Sequence, residues 1–268
     1  MGDGPAHIVN HGLKKRGQEG IYIEQALIEN RFPLEVCTTV QVARALADRV
    51  REAVNQSRLP LVLAGGCMSS IGTLAGLQAP VGVLWLDAHG DFNTPETTVT
   101  GFFDGMALAT VTGRCWRNLA ATVPGFQSVP DSQVILLGAR DFDPAERQLL
   151  DMSAVTLIGT PKIRLAGVPR ALEPALERIH GLTQRIYLHI DLDVLDITEA
   201  HVNQFSCSGG LTLAELLDVI RLVSSHSSVA AAAITAYDPA CDEGDRALNA
   251  ASEIMALLSN LVRPSGTT

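Results

Sequence analysis

The 268-residue sequence lacks the features of a membrane protein and of a disulfide-stabilised secreted domain. No apolar run is long enough to span a bilayer, and the opening segment, MGDGPAHIVNHGLKKRG, contains no apolar signal-peptide core. The five cysteines are an odd number in a long chain, which is not the pattern of a secreted disulfide framework. We therefore expect a soluble, cytoplasmic protein that does not bind membranes.

An excess of positive charge is also lacking. The 20 lysines and arginines are outnumbered by 29 aspartates and glutamates, so the formal net charge is −9. This balance argues against a nucleic-acid partner, because phosphate backbones are bound by basic surfaces. Hydrophobic residues make up 47% of the chain, enough to bury a core. We find no internal repeat, linker or low-complexity stretch, and we predict a single domain over residues 1–268.

Four short apolar segments, each ending in Gly or Asp, predict strands that are buried on both faces of a parallel sheet. They are LPLVLAGG at 59–66, VGVLWLDAHGD at 81–91, QVILLGARDFD at 133–143 and RIYLHIDLDVLD at 185–196. Helical patterns occupy 40–57, 145–152, 170–182, 211–225 and 244–262, and Thr212 is a plausible N-cap ahead of Glu215. Strands that alternate with helices predict an α/β class with a doubly wound sheet.

Acidic residues, a histidine and a cysteine follow three of these predicted strands. In open α/β sheets, ligands bind beyond the carboxyl ends of the strands, so these side chains are candidates for a site. They are Asp87, His89 and Asp91 in DAHGD, Asp191 and Asp193 in HIDLD, and Cys67 in LAGGC. Residues i, i+2 and i+4 of an extended segment point to one side, so each acidic set is expected to converge. Converging carboxylates repel one another unless divalent cations lie between them, and this oxygen-rich set suits manganese.

Simpler interpretations exist for each of these residues. An Asp-x-Asp pair after a strand is often a helix cap or a satisfied turn, and Cys67 could be only a small buried residue beside two glycines. His189 precedes Asp191 on the same strand face, where it could support a metal ligand or simply be a buried strand histidine. The two acidic motifs together, each ending an apolar strand, favour a site for two metal ions.

Three segments resemble those of a known family. DAHGDFNTPETTVTG at 87–101 and HIDLDVLD at 189–196 resemble the signatures of the arginase (ureohydrolase) family, and RDFDPAE at 140–146 resembles a further segment of its arginase branch. The similarity runs from about Ala64 to about Asp242. It implies a three-layer α/β/α arginase-like fold with a central, mostly parallel sheet, and hydrolysis of a guanidino group with two Mn²⁺ ions.

The resemblance also implies roles for individual residues. The implied metal ligands are Asp87, His89, Asp91, Asp191, Asp193 and, where the family has a histidine, Cys67. A thiolate is softer than an imidazole, so this departure leaves the identity of the metal open. Asp91 is the expected acceptor of the water proton, and Asp104 occupies the position of the proton-shuttling histidine of the family.

The implied amino-acid pocket consists of Asn93 and Thr100, which would hold the α-carboxylate of the substrate, and Asp143, which would hold its α-amino group. The segment Asn93–Pro95 could instead be a plain turn, and Asp143 could simply start a helix at the following proline. The three residues together, in family order, suggest a small amino-acid substrate.

The guanidino end departs from the family pattern. Ala236 occupies the position of the glutamate that pairs with the guanidinium, and Phe205 occupies that of a threonine. Either the substrate has a less basic head group, or Asp238 or another acid supplies the missing charge from a shifted position. Together with Cys67, this resembles the branch of the family that cleaves Nω-hydroxy-L-arginine to L-ornithine and hydroxyurea in D-cycloserine biosynthesis.

Other readings stay open at this point. The chain could be an arginase, or a hydrolase of another guanidino acid or of peptide-borne arginine. It could also be a non-catalytic, metal-stabilised relative that binds an amino acid, or carry a purely structural metal site. Family members are often trimers or hexamers, so a homo-oligomer is possible.

Overall fold

A single six-stranded sheet forms the middle layer of the protein. The computed structural model describes residues 1–13, 21–28 and 34–261. The sheet has the order β1-β6-β5-β2-β3-β4, and every neighbouring pair of strands is parallel. The strands are β1 (Leu61–Leu63), β2 (Gly82–Leu86), β3 (Val134–Leu137), β4 (Thr156–Ile158), β5 (Arg185–Asp191) and β6 (Ser228–Thr235).

Helices cover both faces of the sheet, which confirms the predicted three-layer α/β/α fold. They are α1 (Gly4–His7), α2 (Glu35–Asn55), α3 (Ser69–Leu77), α4 (Ala107–Val111), α5 (Arg117–Ala120), α6 (Pro144–Asp151), α7 (Thr160–Ala166), α8 (Val168–His180), α9 (Leu213–His226) and α10 (Arg246–Leu261). A π-helical turn, Ile8–Gly12, follows α1. None of the described helices is both long and apolar enough to cross a membrane.

The continuous apolar character of the strands follows from this double covering. In β2, Leu84 and Leu86 pack against the layer that contains α7 to α10, whereas Val83 and Trp85 pack against α2, α3 and α4. All four side chains are fully buried. Because successive side chains point to opposite faces, a strand between two helical layers must be apolar at every position.

The four strands predicted from apolar segments are all present, in shorter form. The N-cap prediction is also confirmed, because Thr212 and Glu215 form a reciprocal capping box at the start of α9. The predicted helix at 244–262 begins at Arg246, and its last position, 262, lies outside the described residues. The pattern missed β4 and β6; the sequence of β6, SVAAAAIT, is rich in alanine, which is depleted in strands.

One local expectation was wrong. Strand β2 ends at Leu86, so residues 87–91 form a loop rather than an extended continuation of the strand. The chain turns at Gly90 and Asp91, and Asp91 has a left-handed φ of 49°. A Cβ atom on Gly90 would lie 2.5 Å from a carboxylate oxygen of Glu146, so the turn is tight against α6 and favours glycine.

Candidate metal centre and substrate cavity

Six predicted ligand side chains meet in one cavity at the carboxyl ends of the strands. The cavity has a volume of about 470 Å³, and it is lined by Cys67, Asp87, His89, Asp91, Asp191 and Asp193 together with the predicted substrate residues. The sheet order explains the convergence, because β2 and β5 are neighbours and β1 joins them through β6. The loops that follow these strands therefore open at the same edge.

Short contacts join the acidic loops to one another. The Cys67 Sγ atom lies 3.1 Å from Asp191 Oδ2. The Nδ1 atom of His89 lies 3.3 Å from Asp87 Oδ1 and 3.5 Å from Asp193 Oδ2. The backbone N–H of Ala88 donates to Asp193 Oδ1 at 3.2 Å, which fixes the β2 loop against the β5 loop.

The Asp-x-Asp pair after β5 has a structural role and a cavity role at once. Asp191 caps the 3₁₀ turn Leu192–Val194, because its Oδ1 accepts the backbone N–H of Asp193 at 3.0 Å. Both carboxylates also line the cavity. The simpler interpretation of this pair, as a cap, is therefore correct for Asp191. The carboxylate oxygens of Asp191 still have lone pairs left that can bind a metal ion.

Burial makes the ionised form of these acids unfavourable. The pKa values of Asp91 and Asp191 are raised well above the usual range by desolvation and then by the charge of neighbouring carboxylates. The pKa of Asp193 is raised for the same two reasons, although His89 and a hydrogen bond from Asn203 oppose the shift. Burial, followed by the charge of Asp191, raises the pKa of the Cys67 thiol.

The two histidines of the site respond in opposite directions. Burial alone would lower the pKa of His89, but a hydrogen bond to Asp87 and the charges of Asp193 and Asp87 raise it to about 9. Burial lowers the pKa of His189 to about 3. Without a metal, His89 thus acts as a counter-ion for the acids, and a bound cation would take over that role.

These residues fit divalent cations. Asp91 Oδ2 is buried and has no hydrogen-bond partner in the described part of the chain, and no described lysine or arginine lines the cavity to neutralise the acids. Donor atoms of Asp87, His89 and Asp193 lie within 4.8 Å of one another, as do those of Asp87, Cys67 and His189. Asp87 belongs to both groups.

Two residues that support the site were missed by sequence reasoning. The guanidinium of Arg140 donates to backbone carbonyls around the cavity, among them Asp193 O at 3.0 Å and Cys207 O at 2.9 Å. Asn203 is fully buried and donates to Asp193 Oδ2 at 3.2 Å and to Ala236 O at 2.9 Å. The only sequence signal was the position of Arg140 in RDFDPAE; a lone asparagine in a loop gives none.

The predicted amino-acid pocket lies on one wall of the cavity. Asn93 Nδ2 donates to Asp143 Oδ2 at 3.0 Å, and Asn93 Oδ1 accepts from the Thr97 hydroxyl at 2.9 Å. Asp143 is also the N-cap of α6, in a capping box with Glu146. Thr100 lines the cavity at its exposed rim, where its hydroxyl accepts the backbone N–H of Phe102. The structure therefore brings Asn93, Thr100 and Asp143 to the same cavity.

The two residues that depart from the family pattern also line the cavity. Ala236 lines the cavity with a left-handed φ of 63°, and Phe205 lies beside Phe102 with ring centroids 5.2 Å apart. The Phe205 ring also lies edge-on to His89, at 6.3 Å. Asp238 does not line the cavity; its carboxylate lies 3.2 Å from the Met1 amine. The structure thus does not place Asp238 where the missing glutamate would be.

Asp104 lies against the loop that carries Cys67. Its Oδ1 accepts the backbone N–H of Met68 at 2.9 Å, and a Cβ atom on Gly66 would collide with its carboxylate. Burial is the main cause of a raised pKa at Asp104. Asp104 also lines the cavity.

The chain is similar to known proteins along most of its length. A family model described as "Arginase family" matches residues 3–259. An arginase from Bacillus caldovelox is 31% identical over 218 residues, covering 80% of this chain and 72% of that protein, and one from Brevibacillus brevis is 29% identical over 247 residues, covering 91% and 83%. The crystal structure of arginase from Bacillus subtilis superposes with a TM-score of 0.85 at 25% identity, over 99% of this chain and 93% of that one.

Replacing Asp193 tests the ligand assignment. We expect Asp193→Ala to lose one of two bound Mn²⁺ ions or to weaken its binding by at least about 100-fold, since the change removes a donor and not merely its support. Equilibrium dialysis followed by metal analysis measures both quantities. Asp218→Ala is the matched control, because Asp218 is an exposed acid that pairs with Arg221 on α9. Two ions bound to Asp193→Ala with unchanged affinity would contradict the assignment.

Proposed function

Because the chain belongs to the arginase family, we propose that it is a binuclear-metal amidinohydrolase that cleaves the guanidino group of an arginine-like amino acid. The observation that carries this proposal is the juxtaposition of buried acids at the cavity floor with the pair Asn93 and Asp143 on its wall. The first group suits two divalent cations and the second suits the α-amino and α-carboxylate groups of an amino acid. We propose manganese for both ions, with the thiolate of Cys67 as an unusual ligand.

The bound ions would supply a water molecule of lowered pKa, which adds to the guanidino carbon. Asp91 then accepts the proton of that water through its unpaired Oδ2 and transfers it to the leaving nitrogen. The bond between the guanidino carbon and the side-chain nitrogen breaks, which releases L-ornithine. Asp104 would exchange protons between the cavity and solvent while its contact with Met68 keeps the Cys67 loop in place.

We further propose that the preferred substrate is Nω-hydroxy-L-arginine, with hydroxyurea as the second product. A fully basic guanidinium in this cavity would face Ala236 and Phe205, neither of which offers a side-chain acceptor. An unpaired buried cation is costly, and hydroxylation of the terminal nitrogen lowers the basicity of the group. Two cavity acids outside the ligand set already accept backbone hydrogen bonds: Glu146 Oε1 accepts the N–H of Phe92 at 2.8 Å, and Asp104 Oδ1 accepts that of Met68 at 2.9 Å.

A substrate comparison tests this preference directly. With added Mn²⁺, we expect kcat/KM for Nω-hydroxy-L-arginine to exceed that for L-arginine by at least about tenfold, which corresponds to about 1.4 kcal/mol. Ornithine release measures both substrates with the same product. A higher kcat/KM for L-arginine would contradict the proposed preference for the hydroxylated substrate. If neither substrate released ornithine, the hydrolase proposal itself would be contradicted.

Introducing a carboxylate at position 236 tests whether the missing negative charge determines the substrate preference. We expect Ala236→Glu to raise the ratio of kcat/KM for arginine over hydroxyarginine by about tenfold, since a charge-assisted hydrogen bond contributes about 1.5–3 kcal/mol. Ala236→Gln is the matched control, because it adds the same volume without the charge. Equal ratios in the two variants would show that the charge at this wall does not govern substrate choice.

A further inference from the structure

A fully buried histidine lies directly beneath the floor of the cavity. His189 is on β5, two residues before Asp191, and it has no exposed surface. Its ring stacks on Trp85 with centroids 3.6 Å apart and planes 14° apart. The indole N–H of Trp85 in turn donates to Asp87 Oδ2 at 3.1 Å. The orientation of the imidazole is therefore set by the same side chain that holds a candidate metal ligand.

The Nδ1 atom of His189 already has a hydrogen-bond partner. It lies 2.9 Å from the Tyr187 hydroxyl, which is an ordinary hydrogen-bond distance. Nε2 is therefore the ring nitrogen that is left for another partner.

The Nε2 atom of His189 has only a weak partner. Within the described residues its one hydrogen-bond partner is the Thr235 hydroxyl, at 3.5 Å, which is longer than an ordinary N–H···O or O–H···N bond. A ring nitrogen of His189, Cys67 Sγ and an Asp87 oxygen also lie within 4.8 Å of one another, so the imidazole is grouped with two candidate metal ligands.

We propose that His189 Nε2 is a ligand of the metal ion that Cys67 and Asp87 bind. The proposal rests on the binuclear centre proposed above and names a donor beyond the six residues predicted from the sequence. In this proposal, the ion site at Cys67 would combine a thiolate, an imidazole and carboxylates. The ion site at His89 would have an imidazole and carboxylates but no thiolate. The Tyr187 hydroxyl supplies the outer hydrogen bond that metal-binding histidines usually have.

A measurement on the unaltered protein tests the ligand directly. Protein labelled with ¹⁵N at its histidines is loaded with ¹¹³Cd²⁺, and one-bond coupling between cadmium and nitrogen is recorded by NMR. We expect two coupled imidazoles, His89 and His189, with the coupling of His189 at Nε2 and a retained hydrogen on Nδ1. Coupling to His89 alone, with both ions bound, would overturn the proposal.

Substitutions provide the second arm. We expect His189→Gln to lower the binding affinity for one of the two Mn²⁺ ions by at least about 100-fold. Tyr187→Phe should lower the affinity for the same ion by about 10- to 100-fold. Cobalt titration identifies that ion, because the thiolate-to-cobalt absorption of Cys67 should need more Co²⁺ to develop in both variants. His180→Gln is the matched control, since His180 is exposed at the end of α8 and does not line the cavity. Wild-type affinity for both ions in His189→Gln would overturn the proposal.

The outcome can be separated from that of the proposed reaction. Neither arm uses a guanidino substrate, so a second coupled imidazole supports the ligand assignment even if no ornithine is released. Conversely, an active hydrolase with a single coupled imidazole would retain the proposed function and remove His189 from the metal centre.

Discussion

The burial of several carboxylates at one edge of the sheet is the constraint on which the rest of this structure depends. Four aspartates cannot share a cavity floor as anions unless cations neutralise them, and the described cavity wall contains no lysine or arginine. Apart from His89, whose pKa the neighbouring acids raise to about 9, the residues that hold these acids in place do not neutralise them. Asn203 and the backbone of Ala88 donate to Asp193, whereas the charge of Arg140 is directed at backbone carbonyls instead of the acids. The fold thus gathers acids whose ionised form a bound metal ion would stabilise.

The same side chains stabilise local structure and line the cavity. Asp191 caps a turn, Asp143 caps α6, and Asp104 holds the Cys67 loop through Met68. A functional residue that also satisfies backbone groups is held in one rotamer, so its free oxygen is directed accurately. This double use explains why a structural interpretation of each acid, taken alone, was as reasonable as a functional one.

The chemistry of the site was predictable from the sequence to the extent that it lies in short motifs. DAHGD and HIDLD each carry their candidate ligands within five residues. These residues therefore still line one cavity, although the extended geometry expected at 87–91 was wrong. The N-cap at Thr212 was equally local. Contacts between distant segments were not predictable. Asn203 donates to Asp193 and to Ala236, and His189 contacts Trp85 and Thr235 only in the folded sheet. Strand β6 was missed because it is rich in alanine, a residue with low strand propensity.

Anomalous X-ray diffraction from crystals grown with Mn²⁺ tests the central claim most directly, because it locates each ion independently of activity. The account predicts two anomalous peaks in the cavity, both adjacent to Asp87, with one near Cys67 and the other near His89. An empty cavity floor at saturating Mn²⁺, with the aspartates in their present positions, would contradict it.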